Sequence, residues 1–99
     1  MPSKSKAKGN RFERLLVEKA KEAGLDAVRA WGSNGKSLGL HEEVDCIIQN
    51  MKVQAKCRAK IADYFKPSAN VDVQIIKEDR GEPFVVMRFS DWLRRLHDD

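Results

Sequence analysis

The segment from Glu43 to Cys57 constrains the fold more than any other. Apolar and polar residues alternate along it on either side of a Gln49-Asn50 pair. Alternation is the period of a β-strand, and Asn tolerates the positive φ that a two-residue hairpin turn requires. The pattern predicts strands over Glu43–Ile48 and Lys52–Cys57, joined by a tight turn. Such a turn pairs residues whose numbers sum to 99, setting Asp45 opposite Gln54 and Glu43 opposite Lys56. One face then carries Val44, Cys46, Ile48, Val53, Ala55 and Cys57, an apolar surface. The other carries Glu43, Asp45, Gln54 and Lys56. A slip of one residue would send the apolar set to the wrong face, so the register is strongly specified.

A chain of 99 residues has room for one domain. With 41% hydrophobic and 34% charged residues, it is neither a disordered tail nor a membrane protein. No run approaches the ~20 apolar residues of a membrane-spanning helix. The basic start, Met1 to Lys8, lacks the apolar segment of a secretion signal. Two cysteines, Cys46 and Cys57, are too few for a disulfide scaffold, so a reduced, cytoplasmic compartment is expected. Nineteen Lys and Arg against fifteen Asp and Glu leave a net charge of +4, a mild tilt towards nucleic acid. Placement says more, because Lys4, Lys6, Lys8, Arg11 and Arg14 crowd the N-terminus while Lys56, Arg58 and Lys60 form a second cluster.

Residues 1–8 read as a basic, flexible arm and residues 9–99 as a single domain. A helix is expected from Asn10 to Ala23, stopped by Gly24, with Phe12, Leu15, Leu16, Ala20 and Ala23 on its buried face. Leu25–Trp31 reads as a strand and Gly32–Gly39 as a glycine-rich loop. Beyond the hairpin, Ile61–Phe65 reads as a short helix ended by Lys66-Pro67. Val71–Ile76 and Phe84–Phe89 read as strands, and Ser90 as the cap of a last helix running to His97. The order α-β-β-β-α-β-β-α implies a mixed α/β domain with one central sheet.

Glu13 is out of place, since at 100° per residue it falls between Val17 and Ala20 inside the apolar arc. A carboxylate there is costly to bury unless a cation faces it. A salt bridge to an Arg or Lys at the core edge is the plain account. The polar hairpin face likewise has a plain account, a solvated half-sheet with cross-strand ion pairs. Together, however, carboxylates and an ammonium gathered at a sheet suit divalent-metal hydrolysis of a phosphodiester. Hard oxygen ligands hold Mg²⁺, and a lysine stabilises charge or positions the attacking water.

These residues resemble the PD-(D/E)xK nucleases, in particular archaeal-type Holliday-junction resolvases and small phage-encoded nucleases of that kind. Lys8-Gly9-Asn10-Arg11-Phe12-Glu13-Arg14 is similar to the opening helix of a resolvase, including its metal-binding Glu. Arg29-Ala30-Trp31-Gly32-Ser33 is similar to the loop after the first strand, and Val44-Asp45-Cys46-Ile47-Ile48 to the strand carrying the family's Asp. Val53-Gln54-Ala55-Lys56 stands in the place of the (D/E)xK tripeptide, and Asp79 to Val86 resembles a segment of the small phage members. The resemblance implies a restriction-endonuclease-like αβββαβ core with a mixed central sheet, plus a C-terminal hairpin strand and helix. It also implies a homodimeric endonuclease acting on branched DNA such as Holliday junctions, with Mg²⁺ as cofactor and Mn²⁺ able to substitute. The implied catalytic set is Glu13, Asp45, Gln54 and Lys56, the first three holding metal. Lys8, Arg11, Arg14, Arg29, Ser33, Lys36, Arg58 and Lys60 are the candidate DNA contacts. One departure stands out: Gln54 occupies a position normally acidic and brings no charge. The Gln54 carbonyl can still coordinate a metal, with weaker binding and with Glu43 as a candidate auxiliary carboxylate, or the protein is a catalytically degenerate DNA-binding module on the same fold.

Two other constellations fall away. His41, Cys46, Cys57 and His97 match no short zinc spacing, and both cysteines lie on the core face of the hairpin. Gly35-Lys36-Ser37 lacks the glycine that a phosphate-binding P-loop needs five residues earlier, where Ala30 stands. Phe84, Phe89, Trp92 and Leu93 are expected to close the core or to contribute to a dimer interface.

Overall fold

The structure is a computed structural model that describes residues 4–30 and 35–98. The chain divides into two compact units, residues 1–57 and 58–99.

In the first unit, helix α1 spans Lys4–Glu22. It starts at Lys4 rather than Asn10, so Lys4, Lys6 and Lys8 of the expected arm are helical. Lys and Ala are good helix formers, and the single Gly9 costs too little to stop propagation. The helix ends as expected at Gly24, whose φ is 83°. There Leu25 N donates to Ala20 O (3.0 Å) and Gly24 N to Lys21 O (2.9 Å), the pair of bonds that closes a Schellman motif. Its buried stripe is Glu13, Leu16, Val17 and Ala20. Leu15, expected on that face, is 47% exposed, because two steps of 100° carry it across the helix from Glu13.

Strands β1 (Ala27–Arg29), β2 (Cys46–Ile48) and β3 (Met51–Val53) form an antiparallel sheet in the order β1-β2-β3. Pairs Cys46↔Val53, Ile47↔Lys52 and Ile48↔Met51 reproduce the expected register. Gln49 and Asn50 hold the turn at φ 49° and 67°. Gln49 also ties the turn to the start of β1, its amide donating to Asp26 O at 2.8 Å. Helix α1 packs on β1 and β2, enclosing Leu16, Val17, Ala20, Leu25, Ala30, Val44, Cys46 and Ile48. A 3-10 turn over Gly35–Leu38 leads back to β2. Gly35 is obligatory there, since a Cβ would stand 2.0 Å from the His41 carbonyl oxygen.

In the second unit, only Asp63–Phe65 of the expected Ile61–Phe65 helix coils, as a single 3-10 turn. Ala62 offers no side-chain cap, and Pro67 stops propagation. Strands β4 (Val73–Ile76) and β5 (Phe84–Met87) pair antiparallel, and α2 spans Phe89–Asp98. The first bonds of α2 run to the Arg88 carbonyl, so Ser90 lies inside the first turn rather than at the cap. Arg88 clasps the preceding loop, its guanidinium donating to the carbonyls of Pro67 (3.2 Å), Ser68 (2.7 Å) and Val71 (3.0 Å).

The protein is thus a mixed α/β chain of the expected type, with an N-terminal helix, antiparallel sheets and a C-terminal strand and helix. Its described strands form two sheets rather than one mixed sheet. A parallel pairing needs a crossover, usually a helix, and the segment between β3 and β4 supplies only one 3-10 turn. Among the described residues no helix is long and apolar enough to cross a membrane.

Candidate metal and nucleic-acid site

Glu13 is buried in the face of α1 that packs on the sheet, only 4% exposed. Its charge is met by Arg29 at the end of β1, whose Nε donates to Oε1 at 3.3 Å. The same guanidinium donates through Nη2 to Asn10 Oδ1 at 3.0 Å. Asn10 stands one helical turn before Glu13, so helix and strand together hold the ion pair. Arg29, a candidate DNA contact, is here the cation facing Glu13. Sequence reasoning misses Asn10, although its position one turn from a misplaced carboxylate is a readable signal.

Asp45 just precedes β2. Its amide donates to Val53 O at 2.8 Å, while Cys46 is itself the register partner of Val53. Two residues thus oppose one, the pattern of a β-bulge, which re-aims side chains and ends regular pairing. The Asp45 carboxylate instead accepts the Ala55 amide through Oδ2 at 2.6 Å. For this reason both strands stop short of their expected ends, and Asp45 does not face Gln54 across a regular ladder. The bond does anchor Ala55, and with it the Gln54-Ala55-Lys56 tripeptide, against the Asp45 carboxylate.

Cys46 links the two acids. Its thiol is fully buried, and its pKa is pushed up to about 11, first by burial and then by the negative charges of Asp45 and Glu13. Glu13 on α1 and Asp45 before β2 thus both strengthen the thiol's hold on its proton.

The other candidates are more dispersed. Gln54 and Lys56 are exposed. Glu43 lies in an exposed turn, its amide donating to His41 Nδ1 at 3.1 Å, and not on a strand opposite Lys56. Lys36 pairs with Glu42 at 3.6 Å on the surface. Arg58 and Lys60 are exposed in the second unit, and Ser33 lies outside the described residues. Lys4, Lys8, Arg11 and Arg14 recur at intervals of four and three along α1, a cationic stripe away from the buried face. The first turn of α1 has no acidic residue. Lysines there oppose the helix dipole, an unfavourable placement that a bound anion would reverse.

The donor set suits a hard divalent ion. Glu13 and Asp45 are oxygen donors of the hard type, and the buried Glu13 already requires a cation, which Arg29 supplies. Among the described residues no group of three His, Cys, Asp or Glu is gathered for a metal.

Neither the curated proteins nor the solved structures contain a match to the chain. The family described as archaeal Holliday junction resolvase (Hjc) matches residues 4–97, from the first helical residue to the last turn of α2. That span takes in Glu13, Arg29, Asp45 and the Gln54-Ala55-Lys56 tripeptide together, and the chain belongs to the archaeal Holliday junction resolvase family, within the PD-(D/E)xK nuclease superfamily.

Proposed function

We propose that the protein is a divalent-metal-dependent endonuclease that cuts branched DNA in the cytoplasm, with residues 9–99 working as one nuclease domain. The observation that carries this reading is the Asp45–Ala55 bond at 2.6 Å, which keeps the Gln54-Ala55-Lys56 tripeptide beside the Asp45 carboxylate. Glu13, Asp45 and the side-chain carbonyl of Gln54 would hold Mg²⁺, with Mn²⁺ able to substitute. When bound, that ion supplies positive charge against the scissile phosphate and lowers the pKa of an attacking water. Lys56 orients that water or steadies charge on the phosphate. Lys8, Arg11, Arg14, Lys36, Arg58 and Lys60 hold backbone phosphates, as does Ser33. Arg and Lys suit this role because phosphate contacts position a duplex without reading its sequence.

The test is cleavage of a synthetic four-way junction in Mg²⁺ and Mn²⁺ by wild type, Asp45→Ala and Lys56→Ala. Because Asp45 also supports the hairpin, the exposed Lys56 is the cleaner probe. Lys56→Ala is expected to melt like wild type while losing cleavage by about 100-fold or more. The alternative, a catalytically degenerate DNA-binding module, is favoured by one feature, the uncharged Gln54. Junction binding without cleavage in either metal would establish that alternative.

A further inference from the structure

We propose that Arg29 is a removable counter-charge for Glu13, a positioning residue that occupies the carboxylate until a divalent cation takes it over. This rests on the metal-site reading above. The Glu13 carboxylate is 6% exposed and the Arg29 side chain 22%, so the pair lies mostly out of water. An acid in such a place cannot stand alone, since an unpaired buried charge is strongly destabilising. Arg29 Nε meets Oε1 at 3.3 Å, and Asn10 Oδ1 accepts from the far end of the guanidinium at 3.0 Å. The bond to Glu13 is long for a charge-assisted contact, whose usual length is about 2.7–2.9 Å. The bond to Asn10 is of ordinary length.

The charges give the reason for such a device. Glu13 and Asp45 contribute two negative charges, Gln54 adds none, and Arg29 cancels one. A divalent cation approaching the Glu13 carboxylate meets the guanidinium as a like charge and competes with it for Oε1. Arg29 is the more exposed member of the pair, so it is the one that can swing outwards. Once displaced, its planar fork of donors suits a phosphate oxygen, the role its place in the sequence suggested. Cation and phosphate would then be taken up by one exchange of partners. Asn10 sets how readily the exchange occurs.

The experiment measures Mn²⁺ affinity by calorimetry, together with the Mn²⁺-induced rise in melting temperature, on the full chain without DNA. Arg29→Gln removes the competing charge and is expected to bind Mn²⁺ on the order of tenfold more tightly than wild type. It should melt lower without metal and recover more of its stability with it. Arg29→Lys keeps the charge and should stay near wild type. Asn10→Ala loosens the guanidinium without removing it and should fall between the two, which keeps the test open if Arg29→Gln does not fold. Glu13→Gln should abolish the tight site. Equal affinity in wild type, Arg29→Gln and Asn10→Ala, with Glu13→Gln still abolishing binding, would overturn the counter-charge while sparing the metal site. Absence of Mn²⁺ binding in every protein would overturn both.

Discussion

At the scale of single residues, the acids and the thiol beside them govern how the protein responds to its medium. The Cys46 thiol titrates at about 11 against an ordinary 9.0, so the folded state holds the thiol proton more tightly than the unfolded chain. The associated stability is complete below the unfolded value and is lost as pH rises through the folded one. Urea unfolding of wild type and Cys46→Ala across this range should show the deficit of the variant shrinking by about 2–3 kcal/mol. Cys57, half-buried rather than enclosed, should react with a thiol reagent well before Cys46 at neutral pH. Gln54 gives a second residue-scale test. Gln54→Glu adds a negative charge next to Ala55, whose amide Asp45 accepts, and is expected to lower the Mg²⁺ concentration needed for junction cleavage by about tenfold. A parallel Glu43→Gln should change little, because Glu43 sits in a turn outside the strand.

At the scale of elements, α1 carries the nucleic-acid expectation. Replacing Arg11 and Arg14 with Gln should weaken binding uniformly across DNA sequences. It should also reduce the salt dependence of log K by about two, near one for each phosphate no longer neutralised. Melting should barely change, since both side chains are exposed. The elements were legible where their signals are local. Gln49-Asn50 and the alternation around it specified a register that the structure reproduces, and Gly24 marked the end of α1. The Glu13 anomaly likewise pointed to a buried charge with a cationic partner, and that partner is Arg29. What escaped the sequence involved competition between partners distant along the chain. The strands end early because the Asp45 carboxylate takes an amide that alternation assigns to the ladder. That the charges of both Glu13 and Asp45 act on Cys46 depends on how α1 packs, which periodicity does not encode.

Taken as a whole, one chain offers one candidate site, and a four-way junction presents two equivalent strands. A two-fold dimer matches that symmetry. In the second unit Ile75, Phe84 and Val85 are 66%, 58% and 63% exposed, and Ile75 and Phe84 line a groove of about 730 Å³ with Tyr64 and Phe65. Light scattering is expected to give twice the 11.3 kDa chain mass, and Ile75→Glu with Phe84→Glu should return the monomer. A monomer in wild type, free and junction-bound, would leave a nicking enzyme in place of a resolvase.

The bulge at Asp45 also bears on how such a chain can drift over evolutionary time. Its carboxylate serves the hairpin as well as the proposed metal site, so a lineage that loses it would lose architecture along with that ligand. Gln54 carries no comparable structural duty, being exposed and beyond the last residue of β3. Selection that relaxes on catalysis alone would therefore let position 54 wander while folding still holds position 45 in place. An acid at Asp45 beside an amide at Gln54 is a combination that this division of labour permits.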